Sequence, residues 1–339
     1  MQTHDKDIPS TNTELKQAPW LKNAEGNPRR VGVELEMSGL DLDTLAERVA
    51  GFSGLEITSA GRYERLLKGD PAGDWVVELD YALLKRLGRE ERADHTLADE
   101  IGRSAEDVLA WAAEALVPIE VISPPLPLDR LKEVEALIAH LRAAGAKGTS
   151  DSVVNAFGMQ LNAELPSHEP RFITASLKAF SCLYDWLFAR ADINLTRRMT
   201  SYIDPFPTSY VKKLIAADYW PDLAVLIDDY LAENPTRNRA LDMLPLFMFL
   251  DEARVRAATD DALIKARPTF HYRLPDCEID KRDWGLYVAW NDWVEVERLA
   301  ADEERLQACC KAYLEFLDSP IERLFNDWAT TVQNEWLVR

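Results

Sequence analysis

Arg30-Val-Gly-Val-Glu-Leu-Glu-Met37 alternates apolar side chains with glycine and glutamate. Successive side chains of a β-strand point to opposite faces, so this octet predicts a strand with one apolar face and one acidic face. Glu34 and Glu36 would then lie about 6–7 Å apart along the strand. Two carboxylates so placed repel each other unless a cation lies between them or water screens them. The octet alone leaves two interpretations open, a solvent-washed edge strand and one wall of a metal site.

Four later segments repeat this alternation, at residues 74–83, 117–123, 156–165 and 268–274. A sheet face in water normally mixes Lys, Thr, Ser and Glu, whereas these polar faces hold acids, amides, one histidine and one arginine. If the strands are neighbours, the polar groups line one concave surface. Clustered carboxylates favour a hard divalent cation, and a polar sheet face without a ligand is the alternative. The polar residues of the four segments are Glu78, Asp80, Glu120, Gln160, Asn162, His271 and Arg273.

Strand patterns lie mostly in the first part of the chain and helical patterns mostly in the second. This order predicts an α+β fold with a largely antiparallel, curved sheet and helices packed on one face. Residues 1–28 are mostly polar, with Trp20 and Leu21 as an apolar anchor, so we expect a mobile N-terminal arm. Residues 29–339 are then a single domain with a helical C-terminal part.

The formal net charge of −19 over 339 residues argues against a nucleic-acid or anionic-membrane partner, because both need a basic surface. No run of about 18 apolar residues predicts a transmembrane helix. The first 27 residues lack the apolar region of a signal peptide, so we expect a cytoplasmic protein. Cys182, Cys277, Cys309 and Cys310 have no C-x-x-C spacing and are expected to be reduced, structural thiols. The sequence leaves the oligomeric state open.

Arginines are the second group of candidate site residues. Arginine binds phosphate and carboxylate oxygens through paired hydrogen bonds, and surface ion pairs with the many acids are the alternative. Arg197, Arg198 and Arg237 are candidates for binding the phosphates of a nucleotide, beside Arg239 and Arg273. The sequence has no G-x-x-x-x-G-K-[ST], G-x-G-x-x-G, H-E-x-x-H or G-x-S-x-G motif, which argues against the enzyme classes that carry them.

Several short motifs, in order along the chain, resemble the amidoligase family, carboxylate–amine ligases that share the glutamine synthetase catalytic fold. Each motif is short, and their specificity comes from their order over residues 29–300. The segment 75–80 departs slightly, because Tyr81 and Ala82 follow it where the family has Gly-Ser. The segments, with the family motif each resembles, are 31–36 (G-x-E-x-E), 75–80 (W-x-x-x-x-D), 118–125 (E-x-x-S-P-P), 158–162 (G-x-H-x-H), 239–243 (R-A-L-N) and 268–273 (T-x-E-x-R).

The resemblance implies ATP-dependent amide formation through an acyl phosphate. The substrates would be an amine and a small-molecule or peptide carboxylate. Arg239 and Arg273 would stabilise the phosphoryl group or the carboxylate, and Asp80 would position or deprotonate the amine. Mg²⁺ (or Mn²⁺) would be the metal cofactor beside ATP. The implied metal ligands are Glu34, Glu36, Glu78, Glu120, Gln160 and His271.

Two residues depart from the family pattern. Gln160 stands where the family has a metal-binding histidine, and His271 where it has a metal-binding glutamate. The second metal position thereby loses one negative charge, so its metal preference has changed or its metal is weakly held. This departure motivates an alternative function, a degenerate member that binds a nucleotide or peptide without turnover. An unrelated α+β protein that acts through interactions is a third hypothesis.

Overall fold

A nine-stranded antiparallel sheet lies at the centre of the described part of the chain. The computed structural model describes residues 13–61, 63–79, 117–151, 157–193, 197 and 203–337. Across the sheet the order is β2-β3-β4-β5-β1-β7-β9-β8, and β6 pairs with β1. The strands are β1 (Arg30–Met37), β2 (Glu56–Ala60), β3 (Glu64–Lys68), β4 (Trp75–Leu79), β5 (Ile119–Ile122), β6 (Leu126–Pro127), β7 (Met159–Glu164), β8 (Leu241–Asp242) and β9 (Thr269–Tyr272).

Eleven helices accompany the sheet within the same described ranges. Several begin at an aspartate whose side chain accepts a backbone N–H of the first turn, as Asp41 does for α1. No helix among the described residues is long and apolar enough to cross a membrane. The helices are α1 (Leu42–Ser53), α2 (Leu131–Ala143), α3 (Pro170–Ala191), α4 (Thr208–Ile215), α5 (Leu223–Glu233), α6 (Leu244–Leu250), α7 (Glu252–Ala258), α8 (Leu286–Ala301), α9 (Glu303–Asp318), α10 (Pro320–Phe325) and α11 (Trp328–Thr331).

The apolar face of the sheet is the face that the helices cover. The four apolar residues predicted to share one side of β1 are each at most 1% exposed. At β9, Phe180 of α3 contacts Tyr272, with ring centroids 6.1 Å apart, and Trp293 of α8 lies 5.3 Å from Phe270. Each such buried side chain contributes about 1.5–3 kcal/mol. The opposite face of the sheet carries the polar residues.

The segment just before β1 is not a detached arm. Lys16 Nζ lies 2.6 Å from the carboxylate of Glu295 on α8, and Trp290 Nε1 donates to the Lys16 carbonyl at 2.9 Å. Ala18 is buried in the same core. These contacts attach residues 14–20 to α8, so the expectation of a mobile arm over residues 1–28 is wrong for this part. The sequence did not reveal them because the partners lie far along the chain. Residues 1–12 lie outside the described residues.

The predicted fold class is confirmed: the chain is α+β with an antiparallel sheet and helices on its apolar face. The five strands predicted to share a polar face, β4, β5, β1, β7 and β9, are consecutive neighbours in the sheet. The glutamine synthetase-like arrangement and the limits of the domain stay predictions.

Candidate active site

A row of carboxylates crosses the polar face of the sheet. Glu36 on β1 lies opposite Glu120 on β5, and Glu78 on β4 lies opposite Glu120 from the other side. Directly opposite residues of antiparallel strands point to the same face, with Cβ atoms about 4.5–5.5 Å apart. Glu64 on β3 extends the row opposite Glu78 and is exposed. We name these four residues the acidic row.

Glu34 lies beside the acidic row on the same face of β1. Its carboxylate accepts a hydrogen bond from Asn162 Nδ2 at 2.6 Å and lies 3.4 Å from Arg267 Nη1. Glu120 lies on the adjacent strand β5 and also contributes to lowering the pKa of Glu34. Burial is the largest single influence on the pKa of Glu34 and raises it, but attraction to His271 and Arg267, together with hydrogen bonding, gives a net lowering of this pKa.

The carboxylate of Glu36 is held by two donors from β7 and the residue just before it. Gly158 N donates to Oε2 at 2.7 Å, and Gln160 Nε2 donates to Oε1 at 2.8 Å. A Cβ atom at position 158 would lie 2.6 Å from Arg197 Nη2, so only glycine allows this close approach. The orientation of Glu36 therefore depends on the segment that includes β7.

Gln160 and His271 bond to each other. Since the Gln160 amide nitrogen donates to Glu36, its Oε1 accepts from His271 Nε2 at 2.8 Å. The other ring nitrogen, Nδ1, lies 3.5 Å from a carboxylate oxygen of fully buried Asp242. Burial lowers the pKa of His271. Gln160 Oε1 and His271 Nε2, the two atoms that would bind a second metal, are thus hydrogen-bonded to each other.

Arg273 lies one residue beyond β9 and is 8% exposed. Its Nη1 donates to the backbone carbonyl of Arg237. Burial lowers its pKa, and the charge of Asp242 partly opposes that effect. Within the described part of the chain its buried Nε has no hydrogen-bond partner, so one guanidinium N–H remains available.

Arg197 and Arg239 bind backbone carbonyls instead of lying free over the sheet. Arg239 donates to the carbonyl of Pro205 at 2.7 Å and to that of Glu233 at 3.1 Å. Their predicted roles in binding phosphate or carboxylate stay predictions, and would require these bonds to exchange. Arg197 donates to the carbonyls of Arg273, Leu274 and Pro275 and to the carboxylate of Asp276, at 2.7–2.8 Å.

Two predicted site residues, Asp80 and Arg198, lie outside the described residues. The structure also shows two residues at the site that the sequence did not predict, Asp242 and Arg267. Asp242 had a weak signal, since it occupies the asparagine position of the R-A-L-N motif. Arg267 had none, because it precedes β9 and reaches Glu34 from 233 residues away.

The metal-binding roles are likewise predictions. Over the described residues, no group of three or more His, Cys, Asp or Glu side chains is arranged to hold a metal ion. Glu36 already accepts two hydrogen bonds from the protein. Glu34 and Glu120 lie on neighbouring strands, and a cation between their carboxylates would offset the repulsion between them.

A search of curated proteins found no relative that matches this chain. A family model described as "Putative amidoligase enzyme" matches residues 27–295. The match covers well over half of the chain, and all nine strands of the sheet and the start of α8 lie within it. On this evidence the chain belongs to the amidoligase family.

Proposed function

We propose that this protein is an ATP-dependent carboxylate–amine ligase. The observation that carries the proposal is the acidic row, on adjacent strands of a sheet that the amidoligase family model covers completely. In the proposed reaction, the γ-phosphoryl group of ATP passes to a substrate carboxylate and ADP leaves. An amine then attacks the acyl phosphate, and phosphate leaves as the amide forms.

The donor set fits one Mg²⁺ or Mn²⁺ ion better than two. Mg²⁺ commonly binds through one or two carboxylates together with phosphate oxygens, and Glu34 and Glu120, on neighbouring strands, offer two carboxylates. Gln160 and His271 fit a second ion poorly, because the oxygen and nitrogen that would bind it are 2.8 Å apart and bonded. A bound ion would neutralise charge on the phosphates during transfer.

The residues of β7 and β9 fit the anionic reactants. The unpaired Nε of Arg273 is a donor for a carboxylate or phosphoryl oxygen, where a buried guanidinium stabilises developing negative charge. Gln160 keeps Glu36 in one orientation, so the acidic row stays fixed while substrates bind. Asp80 is the proposed group that positions or deprotonates the amine.

The alternative function is nucleotide or peptide binding without turnover. The bond between Gln160 and His271 favours it, since it takes the place of a second metal position. Both functions require Mg-ATP or a peptide to bind. They differ in whether ADP is released when carboxylates and amines are supplied.

The test begins with calorimetry of the full chain with Mg-ATP. ADP release and amide mass are then measured with panels of carboxylates and amines. Glu120→Gln should lower ligation by at least about 100-fold, whereas Glu64→Gln, at the exposed edge of the same row, should keep it. Binding without ADP release supports the alternative. Absence of nucleotide binding overturns the ligase proposal and supports an interaction protein.

A further inference from the structure

Three cysteines cluster where α3 meets α9, on the helical side of the sheet. Cys182 of α3 and Cys310 of α9 have their Sγ atoms 3.6 Å apart, and Cys309 precedes Cys310 on α9. All three are buried, and Cys310 is 4% exposed. A disulfide needs about 2.05 Å between sulfurs, so the two sulfurs would have to approach each other by about 1.5 Å to join Cys182 to Cys310.

A lysine and a small cavity adjoin this pair. Lys178 lies one helical turn before Cys182 and is 2% exposed. Its ammonium group donates to the Ala216 carbonyl at 2.7 Å and lies 4.4 Å from the centre of the Trp220 ring. A cavity of about 90 Å³ has both Lys178 and Cys310 in its lining. The cysteine cluster therefore has an entry beside a positive charge.

The two thiols differ in how readily they ionise. Burial raises the pKa of Cys182 well above its ordinary value. The hydrogen bond that Cys182 donates lowers the pKa of Cys310, and the Lys178 charge lowers it further. A thiolate is the reactive form of cysteine, and Cys310, unlike Cys182, lines the cavity beside Lys178, so Cys310 is the thiol that reacts first.

We propose that Cys310 is a peroxide-reactive thiol and Cys182 its resolving partner, so that hydrogen peroxide joins α3 to α9 by a disulfide. The Cys310 sulfur attacks one peroxide oxygen; an S–O bond forms, the O–O bond breaks, and the leaving hydroxide takes a proton to become water. Cys182 sulfur then attacks Cys310 sulfur; an S–S bond forms, the S–O bond breaks, and the leaving hydroxide takes the Cys182 proton. Two thiols are oxidised, and one peroxide is reduced to two waters.

The cavity gives a small oxidant a route to the cysteine cluster. A single water molecule needs about 10–15 Å³ of such a cavity, so a cavity of about 90 Å³ admits hydrogen peroxide. The expected product is an internal disulfide, because the Cys182 sulfur lies 3.6 Å from the Cys310 sulfur. This oxidation site is independent of the proposed ligase activity.

The reduced full chain is exposed to hydrogen peroxide, quenched and alkylated, and then analysed by intact mass and peptide mapping without reduction. We expect one disulfide per chain, between the peptides that contain Cys182 and Cys310. Cys309→Ser should form the same disulfide. Cys182→Ser should leave a sulfenic acid at Cys310, which dimedone traps when the chain is unfolded in its presence.

The wild-type chain is the decisive sample, so the proposal stays testable even if a variant fails to fold. Circular dichroism checks that this sample is folded during exposure. No 182–310 cross-link at peroxide doses that fully oxidise free glutathione in the same time would overturn the proposal. A 182–309 cross-link, or a sulfenic acid on Cys310 that persists in the wild-type chain, would also overturn it.

Discussion

Gln160 holds two charged or titratable side chains at once, and replacing it by methionine should destabilise the protein measurably. Its amide donates to the Glu36 carboxylate and accepts from His271, both at 2.8 Å, and the residue is 6% exposed. A buried hydrogen bond to a charged group contributes about 1.5–3 kcal/mol, and a neutral one about 0.5–1.5 kcal/mol. Methionine has a similar volume, so packing should change little. Gln160→Met should therefore lower the free energy of unfolding by about 2–4 kcal/mol.

The assay is equilibrium unfolding in urea, followed by circular dichroism, with Gln307→Met as the matched control. Gln307 on α9 also donates to a glutamate carboxylate, that of Glu303, at 3.1 Å, but this pair is exposed. The control substitution should change the free energy of unfolding by less than about 0.5 kcal/mol. Gln160→Met should also reduce ligation, because Glu36 loses one of its two fixed donors, whereas Gln307→Met should leave ligation unchanged.

A free energy of unfolding for Gln160→Met within about 0.5 kcal/mol of the control would refute this reasoning. This result would mean that, in solution, the Gln160 amide does not hold both hydrogen bonds, to Glu36 on β1 and to His271 on β9. A destabilised variant with unchanged ligation would separate the two claims: the network would exist, but the orientation of Glu36 would not matter for activity.

Three further predictions concern stability. Burial raises the pKa of Asp185 to about 6, so the folded state opposes ionisation and stability falls as pH rises from about 4 to 6. In urea unfolding, Asp185→Asn should therefore be more stable than the wild-type chain by up to about 3 kcal/mol at pH 7.5 and equally stable below pH 4, and equal gains at both pH values would contradict this prediction. Arg29→Met removes the counter-charge of the buried Glu297 carboxylate, which keeps the hydrogen bond from Trp293 Nε1, and should cost about 3–5 kcal/mol. Part of this cost should be recovered in the double variant Arg29→Met/Glu297→Leu, and a smaller loss in the single variant would show that the pair is hydrated. Arg130 lowers the pKa of Asp70 to about 2, so Arg130→Met should lower the free energy of unfolding near neutral pH by about 1–2 kcal/mol, a value reduced because Arg130 is partly exposed. This loss should vanish as pH falls through about 2, and a loss independent of pH would count against the prediction.

The sequence predicted the faces of the strands well, because alternation is a local property. Every residue predicted to share the apolar side of β1 is buried, and Glu34 and Glu36 lie on the opposite face. The polar face that the five strands have in common suggested that they are neighbours in one sheet, as they are. The register did not follow, since sliding a strand by two residues keeps each side chain on its face. Only the structure places Glu120 opposite both Glu36 and Glu78.

Contacts between distant parts of the chain were beyond sequence reasoning. Composition predicted a mobile arm, but Lys16 pairs with Glu295, which lies 279 residues later. Arg197 was singled out for its charge, yet its donors stabilise the backbone after β9. In both cases the decisive partner is a backbone carbonyl or a carboxylate that no local pattern identifies.

The polar face divides its charges between its two halves, and this division supports the choice of substrates. The acidic row lies on β3, β4, β5 and β1. Arg273, His271 and the amides lie on or next to β7 and β9, where the buried carboxylate of Asp242, on β8, lies opposite His271. Carboxylates favour a cation bound to phosphate oxygens, and guanidinium N–H groups favour a carboxylate. A ligase must hold Mg-ATP and an anionic carboxylate side by side, with the γ-phosphoryl group between them. A sheet with like groups on both halves would repel one of these two reactants, so the order of the strands itself favours a reaction that joins them.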